Sequence, residues 1–91
     1  MVIARVFDAD GWTPEQYDAL IARMQLGGHA APGVLIHLAA ATPTGMRAVD
    51  VYESREAADR LAQERIGSLA QELGLSMPVI SEYPIHAILQ P

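Results

Sequence analysis

Cysteine and lysine are both absent from this chain of 91 residues. Without cysteine there is no disulfide, no thiolate nucleophile, no iron–sulfur cluster and no cysteine-ligated zinc. Without lysine there is no side-chain amine to form a Schiff base with a carbonyl compound or with pyridoxal phosphate. Any chemistry must therefore come from His, Asp, Glu, Tyr, Arg or Ser side chains, or from a borrowed cofactor.

Positive charge and long apolar runs are also scarce. Six basic residues stand against eleven acidic ones, the net charge is −5, and the arginines are scattered. Nucleic-acid binding needs clustered Lys and Arg, and a membrane span needs about eighteen or more consecutive apolar residues. The N-terminal segment MVIARVFDAD lacks the basic region and apolar run of a signal peptide. These features predict a cytoplasmic protein without a nucleic-acid or membrane partner.

Four apolar, β-branched segments predict strands, and two segments between them have helical periodicity. The predicted strands are Val2–Phe7, Val34–Ala40, Met46–Tyr52 and, roughly, Ser81–Leu89. The last contains Pro84, which favours an edge strand because proline cannot donate to the ladder.

Both predicted helices have recognisable ends. The first begins at a Thr13 cap followed by Pro14 and Gln16, and the pair Gly27-Gly28 ends it. The second begins after a Ser54 cap and runs to about Leu73, with Gly67 expected to bend or fray it. The element order is therefore βαββαβ.

This order predicts an α+β, ferredoxin-like fold in one domain, residues 1–91, with a four-stranded antiparallel sheet and two helices on one face. Because the strands are apolar on both faces, the second face needs its own cover. The simplest cover is a second copy of the chain, the two sheets closing into an eight-stranded barrel that could hold a small ligand. The alternative is a monomer with an open apolar sheet.

The hairpin between the second and third strands carries two ionisable residues on apolar strands. If the turn is centred between Pro43 and Thr44, antiparallel pairing places His37 directly opposite Asp50. An acid beside an imidazole is either a structural ion pair or a proton-transfer pair.

Two segments, GVLIH at residues 33–37 and GMRAVDVYES at residues 45–54, resemble the dimeric α/β-barrel superfamily, in particular its antibiotic-biosynthesis-monooxygenase-like branch. The resemblance implies a ligand pocket between helices and sheet or inside the barrel. It also implies chemistry without a cofactor on polyketide-like or other small aromatic or enolisable molecules.

The chain departs from this family's pattern at two places. The oxygenases resemble one another in an Asn four residues before a Trp in the third strand, where this chain has Ala48 and Tyr52. Haem-degrading relatives carry an iron-ligating His on the second helix, which this chain lacks. Both departures favour cyclisation or isomerisation over oxygenation and over haem degradation.

Strand parity sorts the candidate catalytic residues. Asp50 and Tyr52 alternate with Val49 and Val51, and an aliphatic face suits the helices. We therefore expect Asp50, Tyr52 and His37 to point away from the helices. In this hypothesis His37, oriented by Asp50, abstracts a proton and Tyr52 stabilises the enolate. The structural alternative is that the pair only fixes the hairpin or dimer register.

Further residues are candidates for substrate binding. Arg5 could bind an anionic or enolate group, or pair with Asp50. Trp12 could form a pocket rim, or cap the core. Leu35 shares the predicted face of His37, and His86 could reach the dimer interface or lie half-exposed at an edge. His29 lies in a glycine-rich loop, and the three histidines have no metal-binding spacing.

Three functional hypotheses follow from these residues and the resemblance. The first is a homodimeric, cofactor-independent acid–base enzyme that cyclises or isomerises a small enolisable molecule. The second is a cofactor-independent monooxygenase, and the third is a non-catalytic protein that uses the barrel to hold a ligand.

Overall fold

The sheet has four antiparallel strands in the order β2-β3-β1-β4. The computed structural model describes residues 1–91, apart from the side chains of residues 64 and 65. The strands are β1 Ile3–Asp10, β2 Val34–Thr42, β3 Gly45–Tyr52 and β4 Val79–Pro84. This order, with both helical segments packed on one face, confirms the predicted ferredoxin-like fold.

Helix α1 spans Pro14–Met24 and begins as its sequence predicts. The Thr13 hydroxyl accepts a hydrogen bond from the Gln16 amide at 3.2 Å, and the Gln16 side chain accepts one from the Thr13 amide at 2.9 Å. This reciprocal cap satisfies two amides that the first helical turn leaves free. The helix ends earlier than predicted, at a left-handed Gln25 (φ 55°), before the glycine pair.

The second helical segment is interrupted where one helix was expected. It consists of α2 Arg55–Leu61, a π-helical turn Ala62–Ile66 and α3 Gly67–Glu72. The Gly67 amide donates to the Ala62 carbonyl five residues earlier, so the predicted disturbance at Gly67 is the end of this wider turn. Within the part of the chain that is described, no helix is long and apolar enough to cross a bilayer.

The last strand is shorter than predicted and begins earlier. It ends at Pro84 rather than Leu89, opposite Ile3 at the beginning of β1. Beyond it, the Ile85 amide donates a hydrogen bond to the Val2 carbonyl at 3.1 Å. The ladder stops there because its partner strand has run out. β4 is an edge strand, as Pro84 predicts.

Two clusters of buried side chains lie between the sheet and the helices. Ile3 of β1 and Tyr52 of β3 pack with Leu61 of α2, whereas Ala9 and Met46 pack with Leu20 of α1. Fully burying a large apolar side chain contributes about 1.5–3 kcal/mol. These contacts identify the face of the sheet that the helices cover.

The opposite face of the sheet is largely apolar, and the described residues leave much of it exposed. We call it the open face; it comprises Val6, Ile36, Leu38, Val49 and Val79. Leu38 is 54% exposed and Val79 is 70% exposed. Large apolar patches of this kind mark interaction surfaces in proteins.

The β2–β3 hairpin has the predicted register over most of its length. Thr42 pairs with Gly45 across a two-residue loop, and His37 pairs with Asp50. The register shifts between Val34 and Ile36, so Leu35 lies in a bulge. The predicted alignment of Leu35 with His37 on one face is therefore wrong, because the bulge interrupts the alternation.

Candidate active site

The side chains of Asp50 and Tyr52 lie on the helix-covered face, so the predicted face is wrong. Both share the parity of Met46, which packs against α1, and Tyr52 itself packs against α2. The aliphatic residues Val49 and Val51 point the other way. The prediction failed because the helices do not require an all-aliphatic surface. They cover a cavity, and a charged group is tolerated beside it when it is fully hydrogen-bonded.

Four side chains form one continuous chain of hydrogen bonds on this face. The Tyr17 hydroxyl lies 2.6 Å from His37 Nε2. His37 Nδ1 is bonded to Asp50 Oδ1, and Asp50 Oδ2 accepts a hydrogen bond from the Tyr52 hydroxyl at 2.9 Å. The four residues, Tyr17, His37, Asp50 and Tyr52, are called the relay below. They come from α1, β2 and β3.

The donors and acceptors of the relay fix the tautomer of His37. Asp50 is 5% exposed, and an ionised carboxylate can only accept hydrogen bonds. His37 Nδ1 must therefore carry a proton and donate it to Asp50. In the neutral imidazole Nε2 is then the unprotonated nitrogen, and it accepts from the Tyr17 hydroxyl.

Charge and burial change the acid–base properties of the relay. The hydrogen bond that His37 donates to Asp50 raises the pKa of His37 above its usual value, and burial only partly offsets this. Burial raises the pKa of Tyr17, and the negative charges of Asp50 and Asp18 add to the effect. Burial and the Asp50 charge also raise the pKa of Tyr52. Both phenols therefore stay protonated at neutral pH.

A cavity of about 490 Å³ lies between the sheet and α1. Tyr17, His37 and Asp50 line one wall of it. Most of the rest is apolar and includes Phe7, Trp12, Leu20, Ile21, Met24 and Met46. Cavities of this size and composition hold small organic molecules, with a few polar groups that fix the orientation of the ligand.

The loop after α1 forms another part of the cavity wall. Residues 25–31 all line it, and they include His29, which is itself exposed. Gln25, Gly27 and Gly28 all have left-handed backbone conformations. The glycine-rich loop that carries His29 is thus in contact with the cavity.

The predicted site residues Trp12 and Arg5 have different positions. Trp12 is buried, lines the cavity and donates to the Ser76 carbonyl at 3.1 Å, so it combines both predicted roles of core cap and pocket wall. Arg5 faces Asp50 in the strand register, but its ion pairs are with Asp59 at 2.7 Å and Glu82 at 3.0 Å. The alternative in which Arg5 pairs with Asp50 is therefore wrong, because acids from α2 and β4 bind the guanidinium instead.

Three further predicted residues lie outside the cavity wall. Leu35 is 51% exposed at the bulge, and His86 is exposed in the segment after β4. Tyr52 is 1% exposed and donates to Asp50, so it supports the carboxylate and does not face the cavity. The expectation that Tyr52 would reach an enolate oxygen is therefore wrong, because its hydroxyl lies behind Asp50.

Tyr17 is the residue that sequence reasoning missed. It occupies the first position of the apolar i, i+3, i+4, i+7 pattern of α1, which indicates a core residue. The sequence did contain one indication of its role, because its phenol is the one polar group in this apolar pattern of α1. Its contact with His37 depends on how α1 docks on the sheet, which the pattern does not specify.

Among the described residues, no three His, Asp or Glu side chains form a group that could hold a metal ion.

Comparisons with known proteins identify the fold. No family model and no curated protein match the sequence. A candidate antibiotic biosynthesis monooxygenase from Chloroflexus aurantiacus J-10-fl is 21% identical, with 97% of each chain covered and a TM-score of 0.65. SnoaB, a cofactor-independent oxygenase from Streptomyces nogalater, is 18% identical, with 99% of this chain and 96% of that chain covered and a TM-score of 0.63.

A third solved structure, a candidate antibiotic biosynthesis monooxygenase from Deinococcus radiodurans, is 15% identical, with 100% of this chain and 98% of that chain covered and a TM-score of 0.60. At such identities the likeness establishes the fold and not the reaction. The chain therefore has the fold of the antibiotic-biosynthesis-monooxygenase-like proteins, as the resemblance of its two segments implies.

Proposed function

We propose that this protein is a cofactor-independent acid–base enzyme that cyclises or isomerises a small, largely apolar, enolisable molecule of polyketide-like or aromatic type. One observation carries the proposal: an imidazole oriented by a buried carboxylate lies at the wall of an apolar cavity. In such a pair the carboxylate orients the imidazole, which can then act as a general base. Burying a carboxylate costs free energy, and packing alone would not require it.

The proposed reaction begins with a proton leaving a C–H or phenolic O–H group of the ligand. The imidazole of His37 takes up this proton, and Asp50 stabilises the resulting cation. The electron pair stays on the ligand as an enolate. If the proton returns to a different atom, the product is an isomer. If the enolate carbon attacks a carbonyl group of the same molecule, a carbon–carbon bond forms and the new alkoxide takes the proton.

The charges around the cavity favour an uncharged ligand. Asp50 gives the polar wall a negative charge, and the arginine that lines the cavity, Arg47, is ion-paired with Asp8 at 2.6 Å. A carboxylate or phosphate beside Asp50 would be repelled without a compensating cation.

Deuterium exchange tests the proposal without knowledge of the natural product. Anthrone, a neutral tricyclic ketone with acidic methylene protons, is incubated with the protein in D2O, and mass spectrometry follows deuterium uptake. Wild-type protein is expected to accelerate uptake, and His37→Gln to reduce the rate at least about 100-fold. Unchanged melting temperature would assign the loss to chemistry. A collapse of the melting temperature would instead identify a structural pair, and binding without exchange would select the ligand-container hypothesis.

Oxygenation is the second candidate function. It is favoured by the similarity of the fold to that of SnoaB, a cofactor-independent oxygenase. The same deprotonation would start it, and the enolate would then reduce O2, so that a methylene group and O2 become a carbonyl group and water. Ala48 and Tyr52 stand where the resembling oxygenases carry Asn and Trp, which favours the first candidate. Oxygen consumption with formation of anthraquinone from anthrone would select oxygenation.

We also propose that two copies of the chain associate through the open face. Leu38→Glu is expected to yield a monomer, because it adds a charge to an apolar surface that is buried in the dimer. Analytical ultracentrifugation measures the mass. Gln71→Glu, which adds the same charge on α3 at an exposed position, is the matched control. A wild-type protein that sediments as a monomer would refute this proposal.

A further inference from the structure

Only one atom of His37 can serve as the base. Nδ1 is committed to the buried carboxylate of Asp50, which can only accept a hydrogen bond. The basic lone pair therefore lies on Nε2, in the plane of the ring. A ligand proton must end on this nitrogen if the proposed function is correct.

The position in front of Nε2 is already occupied. The Tyr17 hydroxyl lies 2.6 Å from it, and the planes of the two rings are parallel within 2°. The phenolic oxygen is thus the hydrogen-bond partner of the basic nitrogen. This distance is at the short end of the range for a hydrogen bond donated by an O–H group.

The packing of α1 holds Tyr17 in this place. Its amide bonds the Thr13 carbonyl at 3.1 Å in the first turn, directly after the capping box. Its ring packs against the buried cluster of Ala9, Trp12, Leu20 and Met46. Displacing the phenol from Nε2 would require the ring to leave these contacts.

We propose, on the basis of the function proposed above, that Tyr17 is the catalytic residue that contacts the ligand and carries its proton to His37. The ligand proton moves to the Tyr17 oxygen while the Tyr17 proton moves to Nε2. One O–H bond forms and another breaks at the same oxygen, so the phenol stays neutral throughout. The ligand keeps the electron pair, and the positive charge appears on the imidazole beside Asp50.

The same path runs backwards when the proton is returned. Once His37 is a cation, its Nε2–H points at the Tyr17 oxygen, and the phenolic proton is free to point into the cavity. Tyr17 then becomes a donor to a ligand oxygen or carbon. One residue therefore serves as the contact for both removal and return of the proton, as isomerisation requires.

Tyr17→Phe separates this mechanism from direct abstraction by His37. If Tyr17 carries the proton, the variant is expected to lose about 10²–10⁴-fold in anthrone deuterium exchange, because the ring remains but the path is broken. If the phenol merely occupies Nε2, its removal frees the base and the rate stays equal or increases. Tyr83→Phe, an exposed tyrosine of β4 outside the cavity wall, is the matched control and is expected to keep the wild-type rate.

Two further measurements keep failures distinguishable. Release of tritium from C10-tritiated anthrone is expected to be slower in D2O than in H2O, because a solvent-derived hydron moves on Tyr17 in the same step. An absent solvent effect contradicts the relay through Tyr17. Nitrogen NMR of His37 is expected to show an unprotonated Nε2 above its pKa, and a protonated Nε2 would overturn the inference. The proposed function itself fails if His37→Gln retains full exchange or if the wild-type protein gives no exchange. If His37→Gln is inactive but Tyr17→Phe is active, the proposed function stands and only the role of Tyr17 fails.

Discussion

Asp50→Asn is expected to reduce proton exchange by about 10⁴-fold without unfolding the chain. The amide has the size of the carboxylate but not its charge, so the imidazolium that forms during proton transfer loses its main stabilisation. The amide also has only one acceptor, whereas Asp50 accepts from both His37 and Tyr52. If its oxygen serves the buried Tyr52, its nitrogen faces Nδ1 and forces the wrong His37 tautomer.

The same variant changes the pH dependence in a predictable direction. The hydrogen bond that His37 donates to Asp50 raises the folded-state pKa of His37, and burial opposes this increase. Asp50→Asn removes the negative charge of the carboxylate, whereas the burial that lowers the pKa of His37 remains. The pKa of His37 is therefore expected to fall in this variant. Because the neutral imidazole is the base, wild-type exchange is expected to rise as pH passes through the raised pKa. In the variant the residual activity rises at lower pH.

Stability follows the same linkage with a definite sign. A raised folded-state pKa contributes stability that is fully present below the unfolded value of about 6.5 and is lost as pH rises through the folded pKa. The melting temperature of the wild-type protein should therefore decrease as pH rises from the unfolded to the folded pKa of His37. Asp50→Asn should lack this decrease. Imidazole NMR titration and thermal unfolding at several pH values measure both effects. Glu72→Gln, at the exposed ion pair with Arg23 outside the cavity wall, is the control and should leave exchange unchanged. Equal His37 pKa values in wild type and Asp50→Asn would contradict the assignment.

The hairpin could be predicted from sequence because two local signals agree on it. Apolar alternation gives each strand its period, and the turn at Pro43 and Thr44 joins them with a two-residue loop. Together they place His37 opposite Asp50, as observed. The resemblance carried by the same residues pointed to the observed fold.

The face of the sheet could not be predicted because both sides of β3 carry side chains suited to burial. Val49 and Val51 are aliphatic, whereas Tyr52 is large and largely apolar, and hydrogen bonds offset the polarity of Asp50. Which side meets the helices depends on helix packing. The same limit applies to Tyr17, whose contact with His37 exists only once α1 docks.

Long-range ion pairs were equally inaccessible from the sequence. Arg5 and Asp50 are neighbours in the strand register, so pairing between them was a reasonable expectation. The acids that bind Arg5, Asp59 and Glu82, lie 54 and 77 residues away in the chain. Whether these two acids contact Arg5 depends on the packing of α2 and on the pairing of β4. The residues next to Arg5 in the sequence determine neither.

Gly45→Ala is expected to destabilise the fold by about 2–3 kcal/mol or more, the cost of overpacking a site that cannot relax. A Cβ atom at position 45 would lie 2.2 Å from the Ala9 carbonyl oxygen and 2.9 Å from the Gly11 amide nitrogen. The Gly11 amide also donates to the Thr44 carbonyl at 2.8 Å, a bond that a shift of the hairpin would break. For a domain of this size the melting temperature should fall by roughly 10–20 °C.

The clash at Gly45 involves backbone atoms, and this makes the prediction specific. Ala9→Gly removes a side chain but leaves the carbonyl oxygen in place, so the double variant Gly45→Ala/Ala9→Gly should be no more stable than Gly45→Ala. Gly67→Ala is the control, because its nearest contact would be 3.4 Å from the Ala62 carbonyl and alanine favours a helix by up to about 1 kcal/mol. Thermal unfolding should rank Gly67→Ala at or above wild type and Gly45→Ala far below. Gly45 begins the strand that carries Asp50, so a hairpin displaced from β1 should also weaken the hydrogen bond between His37 and Asp50. The rate of anthrone exchange should therefore fall together with stability. A stable Gly45→Ala protein with the wild-type exchange rate would show that the close approach of Gly45 to β1 does not hold the site in place.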